Sequence, residues 1–148
     1  MIIVLFGQPN SGKSTLSSRL HCEMGGHQID GDSFRTFFKN NDYSKKGRIE
    51  NLKKACDIGY YLVNNNFSDV LIYSMIFPYK ETRDYLSQLM PDALFFYLHY
   101  DLFRGRESNH VIDFDVPGYE EAVHINTDLN TIDECIEIIK KKIYERVE

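Results

Sequence analysis

The sequence predicts an α/β fold of three layers, with a mostly or fully parallel five-stranded sheet between helices. Two observations carry this. Short apolar runs at residues 1–6, 69–73, 93–98 and 122–126 are separated by stretches of helical period, with one long irregular interval at 99–119. The first run, MIIVLF, leads straight into Gly7-Gln8-Pro9-Asn10-Ser11-Gly12-Lys13-Ser14-Thr15. That string is G-x-x-x-x-G-K-[ST] between a strand and a helix, the context of a phosphate-binding P-loop, and so of a P-loop NTPase fold. The length of 148 residues suits a single domain over 1–148, with no repeat or linker.

Each element follows in order. The phosphate loop needs its glycines so that successive backbone N–H groups converge on one anion. A helix over about 14–24 aims its positive end at the same point, and Gly25-Gly26 ends it. His27-Gln28-Ile29-Asp30 reads as a short second strand that delivers Asp30-Gly31-Asp32 at its carboxyl end, where open α/β sheets gather ligands. A short helix follows over about 33–40. A long one spans about 46–64, with Ile49, Leu52, Cys56, Tyr60 and Val63 on one stripe. DVLIY (69–73) is a central strand, 80–89 a helix broken by Pro91, and ALFFYL (93–98) another buried strand. AVHIN (122–126) is a last strand. Thr131 caps a final helix to about 146, striped by Ile132, Cys135, Ile136, Ile139 and Ile143.

Composition narrows the function. A net charge of −5 disfavours a DNA or RNA groove, which needs a basic face. Cys22, Cys56 and Cys135 are odd in number and widely spaced, as expected of buried free thiols in a reducing compartment. The apolar opening is too short for a membrane span or signal peptide, so a soluble cytoplasmic protein is expected. The chain lacks the N-K-x-D string of a guanine-reading switch.

The loop assigns Gly7, Asn10, Ser11, Gly12, Lys13, Ser14 and Thr15 to the phosphates of a nucleoside triphosphate. Lys13 reaches the β- and γ-phosphates, and the Ser14 hydroxyl sits on Mg²⁺. DVLIY ends without a carboxylate, so Asp30 and Asp32 are the better acidic candidates. One helps hold hydrated Mg²⁺ and the other accepts a proton from an attacking hydroxyl. Arg35 lies one turn beyond Asp32, and Arg48 and Asn51 share a helix face.

The ordered set is specific. Asp30-Gly31-Asp32-Ser33-Phe34-Arg35, Tyr43-Ser44-x-x-x-Arg48-Ile49-Glu50-Asn51, Ser74-Met75-Ile76-x-Pro78-Tyr79 and Arg83-Asp84 follow the P-loop at suitable intervals. Over about residues 2–89 the chain resembles the adenylylsulfate kinase family. The resemblance implies ATP-dependent phosphorylation of the ribose 3′-hydroxyl of adenylyl sulfate. It makes Asp32 the base or metal-linked carboxylate. Arg35, Arg48 and Asn51 become acceptor-binding residues, Tyr43 a stacking aromatic, and Ile76 part of the acceptor pocket. It also suggests a homodimer.

The chain departs from that family at Gly47, where the family has Asp, and at Phe77, where it has Ser. Lys80 stands where Arg is frequent. The lid over about 99–120 is much shortened and lacks K-G-L-Y. Within it Arg104 and Arg106 are candidate lid cations, and Phe114 a second stacking aromatic. The short lid bears on acceptor identity more than on reaction type. A different nucleotide-linked acceptor, such as a cytidine nucleotide in surface polysaccharide modification, stays open. So does a nucleotide-binding regulatory module without turnover.

Overall fold

A computed structural model describes residues 1–147. The strands are β1 (Ile2–Phe6), β2 (His27–Asp30), β3 (Leu71–Ser74), β4 (Leu94–His99) and β5 (Val123–Asn126). All neighbouring strands pair in parallel, in the order β2-β3-β1-β4-β5. The α-helices are α1 (Lys13–Met24), α2 (Gly31–Phe38), α3 (Lys45–Asn64), α4 (Lys80–Leu89) and α5 (Ile132–Val147).

Strand alternation explains the three layers. In β1 every side chain is buried, and successive ones point to opposite faces. Ile2, Val4 and Phe6 join a core with Leu52, Ala55 and Cys56 of α3 and Leu86 of α4. Ile3 and Leu5 join a second core with Leu16 and Leu20 of α1 and Ile136, Ile139 and Ile143 of α5. Each such side chain contributes about 2 kcal/mol by leaving water. The apolar stripes of α3 and α5 therefore face the sheet from opposite sides. Gly59 lets α3 approach closely: a Cβ there would overlap the Tyr73 hydroxyl, which donates to the Ala55 carbonyl at 2.9 Å.

Small differences from the sequence expectations have local causes. Helix α2 begins at Gly31 rather than Ser33, because the Asp30 carboxylate caps it by accepting from the Ser33 N–H at 3.2 Å. Strand β3 begins at Leu71, not Asp69. Cys56 and Cys135 are buried free thiols as expected, but Cys22 is exposed on α1. Burial pushes the Cys56 thiol up to about 12. No helix among the described residues is long and apolar enough to cross a membrane.

Candidate active site

β1 and β3 end beside one another, and between their carboxyl ends and the helices opens a cleft of about 520 Å³. One end of it is the phosphate loop. Gly12 has φ 102°, a conformation glycine adopts without the steric cost of a Cβ, and Asn10 has φ 65°. Gly7 lies so close to β4 that a Cβ would overlap the Leu98 carbonyl oxygen. Ser11 is buried beneath the loop, while Asn10, Gly12, Lys13, Ser14 and Thr15 line the cleft.

Lys13 folds back over the loop. Its ammonium donates to the carbonyls of Gly7 and Gln8 at 3.1 and 2.8 Å. Burial pushes it down to about 8; Asp32 opposes the fall most, Arg106 adds to it, and Asp30 opposes it weakly. An arriving phosphate would restore the charge.

Asp30 is the junction between strands. The register sets it beside Ser74, and its Oδ1 accepts from both the Ser14 and Ser74 hydroxyls at 3.1 Å. The carboxylate that the end of DVLIY lacks is thus supplied from the neighbouring strand. Ser14 and Asp30 form a hard oxygen donor pair, which suits Mg²⁺ held partly through water and partly by substrate phosphates. Asp32, in the first turn of α2, is exposed and lines the cleft with no side-chain bond to fix it.

The other end is cationic. Two guanidiniums lie over the Tyr43 ring, Arg35 at 4.2 Å and Arg48 at 5.6 Å from its centroid. Asn40 Oδ1 and the carbonyls of Asn40 and Asp42 hold Arg35, and the Tyr43 carbonyl accepts from Arg48. Asn51 is buried at this end, and its Oδ1 has no partner among the described residues. Asn51 as a residue also lines the cleft. Ile76 completes the wall.

Arg104 and Arg106 also reach the cleft. Arg104 is tied at every turn: to the Asn10 carbonyl at 2.8 Å, Thr127 Oγ1 at 3.0 Å and Asp128 Oδ1 at 2.6 Å, with its guanidinium over the Tyr100 ring. The N–H groups of Leu102 and Asp101, with Arg104, hold the Asp128 carboxyl down at about 2.

The sequence of the Adenylylsulphate kinase family matches over residues 1–107. The chain belongs to that family. None of the curated proteins matches it. Solved structures share the fold of this adenylylsulphate kinase family member at low identity. The crystal structure of APE1195 is 23% identical with a TM-score of 0.81, over 100% of this chain and 96% of that one. The Mycobacterium tuberculosis APS kinase CysC in complex with AMPPNP and APS is 20% identical, TM-score 0.74, over 97% of each chain. A gluconokinase from Sinorhizobium meliloti is 14% identical, TM-score 0.68, over 99% and 97%.

Two features set this adenylylsulphate kinase family member apart in physical terms. Phe114 is not brought to the cleft. Its ring packs on Tyr97 at 5.7 Å against the α3–α4 core, while Tyr43 lines the cleft. The stacking expected of Phe114 therefore has no geometric basis in this arrangement, because its ring is taken up by Tyr97 of β4. At Gly47, a Cβ would overlap Asp42, whose carboxylate accepts from the Ser44 N–H at 2.9 Å. The Asp42 carboxylate thus fills the space beside position 47, and the positive charges that act on it are those of Arg35 and Lys46.

Three contributors were missed from sequence. Ser74 sits at a strand end like Asp30, which was signal enough. Gln8 and Asp128 work through partners about a hundred and about twenty-five residues away, a pairing no local string reveals.

Proposed function

We propose that the protein transfers the γ-phosphoryl group of ATP to the 3′-hydroxyl of adenylyl sulfate or a closely similar anionic nucleotide. One observation carries the reading: a single cleft joins the phosphate loop to the Arg35–Tyr43–Arg48 cluster, with Asp32 between them. An acceptor with an anionic group and a flat base suits two guanidiniums gathered at one ring.

The chain's part in the reaction is positioning and electrostatics. The loop N–H groups and Lys13 hold the donor phosphates. Arg106 adds positive charge where negative charge develops on the transferring group. Asp32 takes the proton from the attacking hydroxyl, which requires its free and exposed carboxylate. Mg²⁺, held by Ser14 and Asp30, would offset phosphate charge when bound.

A second reading, a smaller anionic alcohol as acceptor, draws on the position of Phe114, which leaves one aromatic rather than two for a base. A coupled ADP-release screen separates the two. It compares adenylyl sulfate, its cytidine analogue, nucleoside monophosphates and gluconate. ADP release with adenylyl sulfate at the highest kcat/KM supports the first reading, and preference for gluconate the second. Tight AMPPNP binding without release from any acceptor would overturn both in favour of a binding module.

A further inference from the structure

The three variable positions that open the phosphate loop all point toward the chain that follows β4. The Gln8 side-chain amide pairs with Val111 as a strand backbone would. Its Nε2 donates to the Val111 carbonyl and its Oε1 accepts from the Val111 N–H, both at 2.8 Å. The Pro9 carbonyl accepts from the Tyr100 hydroxyl at 2.7 Å. Asn10 and Arg104 exchange bonds: Asn10 Nδ2 donates to the Arg104 carbonyl at 3.2 Å, and Arg104 donates to the Asn10 carbonyl at 2.8 Å.

Between these fastenings the segment 100–111 has little regular structure beyond one 3-10 turn at Glu107–Asn109. Glu107 gathers its start, accepting from the N–H groups of Arg104 and Gly105 at 2.5 and 2.9 Å. Gly105, with φ 89°, turns the chain so that Arg106 comes back over the cleft. Without the fastenings a segment so poor in apolar burial would be among the first parts to open. Leu102 and Phe103 are exposed, and Val111 is the buried apolar anchor, directly at the Gln8 contact.

We infer that Gln8 is a positioning residue: it latches the segment 100–111 onto the phosphate loop, so that Arg106 stands over the nucleotide phosphates before any ligand arrives. The arch is preset, and nucleotide binding need not supply the ordering of the segment. The inference rests on the reading that phosphates lie at Lys13.

The test combines a nucleotide analogue with an exchange measurement, so that turnover is not needed. Gln8→Met keeps the length and removes both polar atoms; Arg106→Ala removes the cation. Hydrogen exchange followed by mass spectrometry reports the segment directly. In Gln8→Met, amides of 104–111 should exchange at least about tenfold faster, while β1 amides keep their protection. Binding of AMPPNP with Mg²⁺ should weaken about tenfold in Arg106→Ala, the loss of one charge-assisted contact. Gln8→Met should lose a similar factor, and the double variant no more than Arg106→Ala alone, because the two act as one unit.

Unchanged exchange over 104–111 in Gln8→Met would overturn the latch. Losses that multiply in the double variant would overturn its link to Arg106. Failure of the nucleotide reading looks different: AMPPNP would bind neither the unaltered chain nor Lys13→Ala, and the exchange result would still decide the latch. Collapse of β1 protection in Gln8→Met would show a general structural role and count against positioning. Gln8→Glu then provides the finer check. It keeps the acceptor for the Val111 N–H but sets a carboxylate against the Val111 carbonyl, and should open the segment without loss of the β1 core.

Discussion

Lys13 shows how a single side chain couples the fold to pH. Its ammonium is pushed down to about 8 by burial, so it is charged below that value and neutral above it. A phosphate binds the charged form. ATP affinity should therefore be level below pH 8 and fall as pH rises through it, with Lys13→Arg flattening the fall because the guanidinium keeps its charge. Calorimetric titrations on either side of pH 8 measure this; an affinity that ignores pH would sink the assignment. Asp32 carries a separate prediction. Asp32→Asn should lower kcat by about 10²–10⁴-fold if the carboxylate takes the proton, with ATP KM nearly unmoved. A near-normal kcat would return the base role to another group. Phe77 is unusual among these residues: a bulky side chain, fully buried, held at φ 42°. Such a conformation is costly, and it shapes the cleft wall between Ile76 and Pro78.

At the scale of elements, what holds that turn is Arg83 on α4. It is 1% exposed and donates to the Phe77 carbonyl at 2.8 Å, the Asp115 carbonyl at 2.8 Å and Glu121 Oε1 at 2.6 Å. One guanidinium thus clamps a helix, the strained turn and the end of the shortened lid. Asp115 returns the favour, capping α4 through the Lys80 N–H at 3.0 Å. Arg83→Ala should cost about 3 kcal/mol, because it leaves buried carbonyls and a half-buried carboxylate without a partner. Urea unfolding measures it, and a loss below about 1 kcal/mol would mean that water replaces the clamp. The clamp is also the neighbour of Phe114: Asp115 is fixed to α4, and the ring that precedes it rests on Tyr97.

The whole molecule was largely legible because its signals are local and periodic. The strand and helix order follows from apolar spacing, and the parallel sheet from their alternation. The phosphate loop, the Asp30–Asp32 turn and the Arg48–Asn51 face lie within short strings whose geometry is set by neighbours in sequence. What stayed hidden depends on distant partners. Gln8 meets Val111, Arg104 meets Asp128, and Arg83 meets Glu121 only once the sheet has formed. The irregular stretch after β4 carries no period, so its path could not be read from pattern. The contact of Tyr43 with Arg35 and Arg48 has an optical consequence. The chain holds no tryptophan, so Tyr43→Trp would install a single indole emitter, exposed, at the acceptor end of the cleft. An anion that draws the guanidiniums off the ring should shift its fluorescence, whereas AMPPNP alone should leave it nearly constant. Emission that responds to the donor and not to adenylyl sulfate would argue against an acceptor at that end. A constant signal with both would mean the ring senses neither.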